Sequence, residues 1–137
     1  MEIEVWGPLA VAITTAVAGI AAYAWNKRID RRHALIELRR GIYRDFILSI
    51  ADVSESNNGD GEVKAYRRRL AELHLVGSDE VIRACEAFTS LYRGAANVGS
   101  SERAKRFAQL EMAMRRDCFE KTQVTVEELR SSLPFTF

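Results

Sequence analysis

The fold is decided by residues 5–25, VWGPLAVAITTAVAGIAAYAW, a stretch of 21 residues without a charged side chain. A helix rises about 1.5 Å per residue, so this stretch covers the roughly 30 Å hydrocarbon core of a bilayer. In hydrocarbon every backbone N–H and C=O needs a partner, which a continuous helix supplies. The sequence therefore predicts an N-terminal tail and transmembrane helix over residues 1–26.

Aromatic residues stand at both ends of this stretch. Trp6 lies near its start, and Tyr23 and Trp25 lie near its end. Tryptophan and tyrosine favour the two headgroup layers of a membrane, so these three residues are the expected membrane anchors. Pro8 is expected in the first helical turn, where its missing N–H is not needed.

Charge on either side of the span predicts its orientation. Glu2 and Glu4 precede it, and the basic residues that follow are Lys27, Arg28, Arg31, Arg32, Arg39, Arg40 and Arg44. Basic flanks stay on the cytoplasmic side, so we expect a bacterial inner-membrane protein with its N-terminus outside and its C-terminus in the cytoplasm. The first four of these cations are expected to fix this topology and to face the lipid surface, where docking of the domain is the alternative role.

A cleaved signal peptide is the competing interpretation, because Ala22-Tyr23-Ala24 resembles a small-residue cleavage site. The acidic start and the length of the apolar run favour a retained anchor. Within the span, Thr15 with Gly19 and Ala18 with Ala22 are pairs of small residues four apart. Such pairs let two membrane helices approach closely, which predicts a homo-oligomer. Alternatively, an alanine-rich helix contains such pairs by chance.

Residues 27–137 are expected to form a cytoplasmic, all-α bundle of about four helices. Apolar residues recur every three or four positions in the first helix, at Leu35, Leu38, Ile42, Phe46, Ile50 and Val53. No polar linker separates Trp25 from Leu35, so we expect the span to continue directly into this helix.

Glycine and capping residues predict the other helices. A second helix should begin near Glu62 and end at Gly77, and a fourth should begin at Ser100 or Ser101. The expected inward residues are Val63, Tyr66, Leu70 and Leu73 in the second helix, Val81, Cys85, Phe88, Tyr92 and Ala95 in the third, and Ala104, Phe107, Leu110, Met114 and Cys118 in the fourth. Thr125 and Glu128 predict a capping box for a short fifth helix.

Recognisable catalytic and cofactor motifs are absent from the sequence, and neither a cofactor nor a bound metal is expected. Cys85 and Cys118 fall on apolar helical faces, which predicts reduced thiols in the core. Phe135 and Phe137 are expected to fold back onto the bundle, with capture of the C-terminal peptide by another domain as the alternative.

Two histidines each follow an arginine by five positions, His33 after Arg28 and His74 after Arg69. This spacing resembles the Arg-x4-His element of HEPN ribonucleases, helical proteins in which two such elements meet across a dimer. The resemblance implies that His74 acts in acid–base cleavage of RNA while Arg69 stabilises phosphate charge.

Two further resemblances concern the architecture. An anchored helical bundle with Arg69 and His74 is similar to the HEPN-like accessory membrane proteins of RNA-targeting CRISPR systems, which assemble into rings. The RxxRR segment at Arg28, Arg31 and Arg32, followed by YxxF at 43–46 and LVGSDEV at 75–81, resembles uncharacterised bacterial single-pass membrane proteins with a small cytoplasmic helical domain. No activity follows from the second resemblance.

The sequence therefore favours a membrane-anchored scaffold or adaptor, or a ring-forming protein, that acts through self-association or a protein partner rather than as an enzyme. Nucleic acid is not an expected partner, because acids outnumber bases from Asp45 onward and Arg67, Arg68 and Arg69 point in different directions on a helix. The alternative function is a HEPN-like ribonuclease or defence effector that uses Arg69 and His74 across a dimer.

Overall fold

A computed structural model describes residues 3–55, 59–93, 98–119 and 121–133, except for the side chains of residues 3–5. Within these ranges the chain forms five α-helices and no strand. The helices are α1 (Ile3–Glu55), α2 (Asp60–Val76), α3 (Asp79–Arg93), α4 (Ser100–Cys118) and α5 (Val126–Ser131). The all-helical fold class is confirmed. The chain divides into two compact units, Met1–Leu35 and Ile36–Phe137.

The first unit consists of the N-terminal part of α1. From Trp6 to Leu35 every side chain is exposed, and α1 is long and apolar enough to cross a membrane by its length and composition. Two hydroxyls within the apolar stretch are paired inside the helix, because Thr14 donates to the Ala10 carbonyl and Thr15 to the Val11 carbonyl, each at 2.8 Å. These polar groups therefore need no partner from outside the helix.

The position of Pro8 differs from the prediction. Because α1 begins at Ile3, Pro8 lies inside the helix rather than in its first turn. Its ring nitrogen carries no hydrogen, so it cannot donate to the carbonyl four residues earlier. The predicted continuity after Trp25 is confirmed, because α1 runs without interruption through Leu35 to Glu55.

The second unit is a bundle with a main apolar core and a smaller apolar cluster between α4 and α5. The buried residues at its centre come from α1 (Tyr43, Phe46, Ile50), α2 (Leu73), α3 (Val81, Cys85, Phe88) and α4 (Phe107, Leu110, Ala113, Met114, Cys118). Spacings of three and four residues bring these side chains to one face of each helix. Aromatic rings meet across helices, with centroids 5.5 Å apart for Phe88 and Phe107 and 5.7 Å apart for Phe46 and Tyr66.

Three residues that were expected to face the core are exposed: Leu35, Leu38 and Tyr92 have exposed fractions of 42%, 52% and 54%. The neighbouring residue Arg39, and not Leu38, extends its side chain to α2 and α4. Tyr92 sets its ring edge-on against Phe88 at 5.4 Å, while the Arg103 guanidinium lies 5.4 Å from the Tyr92 ring centre. An amphipathic ring at the rim of the bundle is thereby in contact with both apolar and charged groups.

The helix ends follow the predicted residues. Gly77 ends α2 with φ −64° and ψ 150°, which is extended rather than left-handed backbone. Glycine is needed there for space, since a Cβ atom would lie 2.8 Å from the Leu73 carbonyl oxygen. At α5 the predicted capping box is confirmed: the Thr125 hydroxyl accepts from the Glu128 N–H, and the Glu128 carboxylate accepts from the Thr125 N–H.

The fifth helix returns along α4. Leu129 packs against Ala108 and Met112, and Arg130 donates to the Ser101 hydroxyl at 2.7 Å. The expectations for Ala95 and for the C-terminal residues Phe135 and Phe137 lie outside the described residues.

Cys85 and Cys118 are free and buried, as predicted. Burial raises the pKa of the Cys85 thiol from 9.0 to about 12, and burial also raises the pKa of Cys118. A thiolate is the reactive form of cysteine, so both side chains are poor nucleophiles and serve as apolar core groups.

We predict that the bundle loses stability at alkaline pH partly through Cys85. The folded-state pKa is raised, so the contribution of the thiol is complete below pH 9 and falls as the pH rises toward 12. Urea unfolding of the detergent-solubilised protein, followed by circular dichroism, should show that the stability difference between wild type and Cys85→Ala shrinks above pH 9 by about 1.4 kcal/mol per pH unit. A difference that does not depend on pH would contradict this assignment.

Candidate functional site

The Arg69 guanidinium, one half of the predicted catalytic pair, lies among carboxylates. Its Nη1 atom is 2.7 Å from a Glu72 oxygen, and its Nη2 atom is 3.5 Å from an Asp45 oxygen. The hydrogen bond to Glu72 raises the pKa of Arg69 and lowers the pKa of Glu72. The contacts of Arg69 therefore join α2 to α1.

His74, the other half of the pair, is exposed near the end of α2. Five residues turn a helix by about 500°, so Arg69 and His74 project about 140° apart. Within one protomer the two side chains do not converge on a cleft. The pairing of two such elements across a dimer stays a prediction.

Each residue that was predicted to contact the membrane surface is exposed in the first unit. Trp6, Tyr23 and Trp25 have exposed fractions of 67%, 66% and 67%. The Lys27 ammonium lies 5.5 Å from the centre of the Tyr23 ring. Such a contact places a cation beside an aromatic ring at one end of the apolar stretch. Arg28, Arg31 and Arg32 are also exposed.

The small residues of the predicted association face are exposed as well: Thr15, Ala18, Gly19 and Ala22. A Cβ atom added at Gly19 would meet nothing within 4 Å in the protomer. The hydroxyl of Thr15 is already bonded to the Val11 carbonyl, so this residue presents mainly its methyl group. Space for a second helix is therefore available along this face.

Two arginines of the basic segment, Arg39 and Arg40, bond other helices of the second unit. Arg39 donates from Nε to the Val76 carbonyl at 2.7 Å and from Nη1 to an Asp117 oxygen at 2.9 Å. Arg40 donates to the Cys118 carbonyl at 2.9 Å. These carbonyls belong to the last residues of α2 and α4, which lack partners inside their own helices.

Asp117 is the centre of this group, which we call the Arg39–Asp117 cluster (Arg39, Arg40, Tyr43 and Asp117). The Tyr43 hydroxyl donates to the second Asp117 oxygen at 2.6 Å, and the Asp117 side chain is only 11% exposed. Burial, together with the hydrogen bond to Asp117, raises the pKa of Tyr43. A carboxylate with a guanidinium and a phenol as donors is a stable buried arrangement.

Electrostatics explain why guanidinium groups lie at this end of the bundle. The C-terminal end of a helix carries a partial negative charge, which a nearby cation stabilises. Arg39 bonds the C-terminal end of α2, and Arg40 bonds the C-terminal end of α4. The cluster therefore holds the beginning of the second unit against two helix ends, and its contacts point to a structural role.

Sequence reasoning did not find this cluster. Arg39 and Asp117 are 78 positions apart, and Arg40 and the Cys118 carbonyl are equally distant. A pattern of periodicity or motif spacing carries no signal for such a pair. The only available sign was an aspartate directly before Cys118, at the end of an apolar stripe.

Two further features of the part of the chain that the structure describes concern ligand binding. There, no group of three or more His, Cys, Asp and Glu side chains is placed to hold a metal ion. A surface concavity is lined by Gln123, Val124, Glu128 and Ser132. Glu128 already accepts hydrogen bonds in the capping box of α5, so this concavity offers no group with unusual reactivity.

In comparisons with known proteins, the chain matches no family model, no curated protein and no solved structure. The resemblances to HEPN proteins and to bacterial single-pass proteins therefore depend on the quoted residues alone.

We predict that Asp117→Ala destabilises the second unit much more than loss of an exposed ion pair does. The substitution leaves Arg39 and Tyr43 without their shared acceptor, which should lower the free energy of unfolding by about 1.5–3 kcal/mol. Glu80→Ala is the matched control, since Glu80 and Arg116 are both more than half exposed and such pairs contribute about 1 kcal/mol or less. Equal effects of the two substitutions in urea unfolding would show that the cluster is not a stabilising element.

Proposed function

We propose that this chain is a single-pass membrane protein whose C-terminal helical bundle acts as a cytoplasmic scaffold or adaptor. The observation that supports this best is that every residue from Trp6 to Trp25 is exposed, in a protein that has a well-packed core elsewhere in its sequence. A core helix of a soluble protein would be mostly buried, whereas none of the apolar window of α1 is covered. Hydrocarbon is the environment that suits a helix of this kind.

Orientation is proposed from charge. Lys27, Arg28, Arg31 and Arg32 are exposed directly after the span, where they fix the C-terminal side in the cytoplasm. A bacterial inner membrane is the membrane we propose. The Tyr23 and Trp25 rings then lie at the inner interface and Trp6 at the outer one.

An adaptor role is favoured over an enzyme by the state of the reactive groups. Cys85 and Cys118 are buried, and Arg69 is engaged by Glu72 and Asp45. The ribonuclease alternative, in which His74 acts with Arg69 across a dimer, stays a prediction. We propose that protomers associate through the small residues of the span to form a homo-oligomer. Both a ring and a smaller oligomer are compatible with this face.

The proposed orientation is tested with a single exposed thiol. We expect a Ser90→Cys protein to resist a membrane-impermeant maleimide in intact cells and to react after permeabilisation, because the proposed orientation places the bundle in the cytoplasm. Ser90 is exposed whereas Cys85 and Cys118 are buried, so the label reports position 90. Exchanging the flanking charges, with glutamate at 27, 28, 31 and 32 and lysine at 2 and 4, should invert this result. Replacing the distant Arg83 and Arg93 by glutamate should leave it unchanged.

Two outcomes contradict the proposal. Labelling of the Ser90→Cys protein in intact cells would place the bundle outside. N-terminal sequencing that finds a mature chain starting near residue 25 would identify residues 1–24 as a signal peptide instead of an anchor.

The proposed self-association is tested at Gly19. We expect Gly19→Ile to reduce the mass of the detergent-solubilised particle toward that of the monomer in light scattering, because the larger side chain separates two packed helices. Gly7→Ile is the control, since a Cβ atom at either glycine meets nothing within its own protomer. A wild-type protein that is monomeric at micromolar concentration, or an assembly unaffected by Gly19→Ile, would contradict this face.

A further inference from the structure

One side of α2 faces away from the core of the bundle and combines basic and apolar side chains. At 100° per residue, five residues of this helix fall within an arc of about 100°. All five are exposed: Lys64, Arg67, Arg68, Ala71 and Leu75. Leu73 lies on the opposite side of the helix and is fully buried, with Tyr66 and Leu70 packed beside it. We call the five exposed residues the α2 outer face.

The spacing along this face is that of a contact between two helices. Lys64, Arg68, Ala71 and Leu75 follow one another at intervals of four, three and four positions. Side chains at these intervals line up along one side of a helix, where a second helix that lies alongside can meet all of them. From Lys64 to Leu75 the face extends over about three helical turns.

Leu75 supplies the apolar contact of the face. Its exposed fraction is 84%, which exceeds that of every large apolar side chain from Trp6 to Trp25 in the predicted span. The other leucines of α2, Leu70 and Leu73, contact the core, so Leu75 contributes little to the packing of its own protomer. Ala71 is small, which lets a partner helix approach closely beside Leu75.

The charge of the face is positive. None of the ion pairs between described residues involves Lys64 or Arg67. Arg68 has a carboxylate partner on the same helix, Glu72, at 3.3 Å, and its side chain is still 80% exposed. Asp60 lies at the far end of the same side of α2, in its first turn. The cations of the face therefore remain accessible to the carboxylates of another molecule.

We propose that the α2 outer face binds an acidic amphipathic helix of a protein partner, and this inference rests on the adaptor role proposed above. Carboxylates of the partner helix pair with Lys64, Arg67 and Arg68, and one of its apolar side chains covers Leu75. Charge pairs along such an interface fix partner choice and register. Removal of the leucine from water supplies the apolar driving force.

Charge complementarity selects this occupant. A second copy docking through the same face would place two sets of cations against each other, because a two-fold interface pairs a patch with itself. A nucleic-acid backbone carries the opposite charge, but its phosphates are met by hydrogen-bond donors and offer no apolar surface to Leu75. An acidic helix with apolar residues on one side matches both the cations and the leucine.

The test measures binding of a defined peptide to the full-length protein in detergent. The probe is a fluorescent helical peptide of about four turns, with leucine at every third or fourth position and glutamate at the others. One control peptide has lysine in place of glutamate, and a second has alanine in place of leucine. We expect fluorescence anisotropy to show binding of the first peptide, and binding of either control that is weaker by about tenfold or more.

Variants of the face give the matched comparison. Lys64→Glu combined with Arg67→Glu should weaken binding by at least about 25-fold at low salt, since an exposed ion pair is worth up to about fivefold. Leu75→Ala should weaken binding by about tenfold at low and at high salt, because apolar burial is not screened. The controls Arg83→Glu on α3 and Leu48→Ala on α1 remove other exposed side chains and should bind like the wild type.

Cross-linking in cells separates this inference from the adaptor role itself. A photoactivated benzoylphenylalanine replaces Leu75 or, as control sites on α1, α3 and α4, the exposed residues Leu48, Ser90 and Lys105. We expect an adduct at position 75 whose partner, identified by mass spectrometry, carries an acidic helix at the cross-linked position. Lys64→Glu combined with Arg67→Glu should abolish this adduct.

Several outcomes overturn the inference. Binding of the acidic peptide that survives the double glutamate variant, or an adduct of position 75 with a second copy of the chain, would show another use of the face. Binding of an RNA oligonucleotide that depends on Lys64 and Arg67 but not on Leu75, without binding of the peptide, would identify nucleic acid instead. Protein adducts at the control sites but not at position 75 would overturn the α2 outer face and leave the adaptor role intact. Absence of adducts at all four positions would overturn the adaptor role as well.

Discussion

Burial of the α1 side chains Tyr43, Phe46 and Ile50 is the interaction on which the second unit depends. Phe46 has no exposed surface and contacts the Tyr66 ring of α2, and all three belong to the core that α3 and α4 complete. Burying a phenylalanine removes a large apolar area from water, so this residue alone supplies a major favourable term. Because α1 also carries the predicted span, the same helix contributes both the proposed anchor and one of the core-forming helices of the second unit.

Polar contacts fix the arrangement that the apolar core allows. Apolar packing has little directionality, whereas a hydrogen bond forms only when its donor and acceptor are aligned. In the Arg39–Asp117 cluster the guanidinium and phenol donors have to meet specific carbonyl and carboxylate oxygens. Arg39 bonds the end of α2, Arg40 bonds the end of α4, and Tyr43 meets the same carboxylate as Arg39. The cluster therefore specifies which helix ends lie beside the first turns of the second unit.

Much of the fold could be predicted from the sequence because the signals are local. Recurrence at three and four residues identified Phe46, Leu73, Val81 and Phe107 as core, and Thr125 with Glu128 identified the start of α5. Contacts between residues that are distant in sequence, such as Arg39 with Asp117, produce no periodicity or motif from which they could be predicted.

The exposed Tyr92 illustrates the limit of periodicity. Its position matches the apolar stripe of α3, but whether a ring at the rim is covered depends on α4, which places the Arg103 guanidinium beside a Tyr92 ring that stays exposed. The site is harder to predict than the fold for the same reason. The spacing of Arg69 and His74 is visible in the sequence, whereas the Asp45 and Glu72 oxygens that engage Arg69 depend on how α1 and α2 pack.

The basic segment after the span separates into two sets once its contacts are known. Arg39, Arg40 and Arg44 each have a carboxylate oxygen within 3.3 Å, from Asp117, Glu37 and Asp45 respectively. The cations that are proposed to face a membrane are Lys27, Arg28, Arg31 and Arg32, all within seven residues of Trp25. Such proximity matters because basic residues influence orientation most strongly near the end of a span. The charges that would set topology are therefore different residues from Arg39 and Arg40, which bond the ends of α2 and α4, so each set can be altered without removing the other.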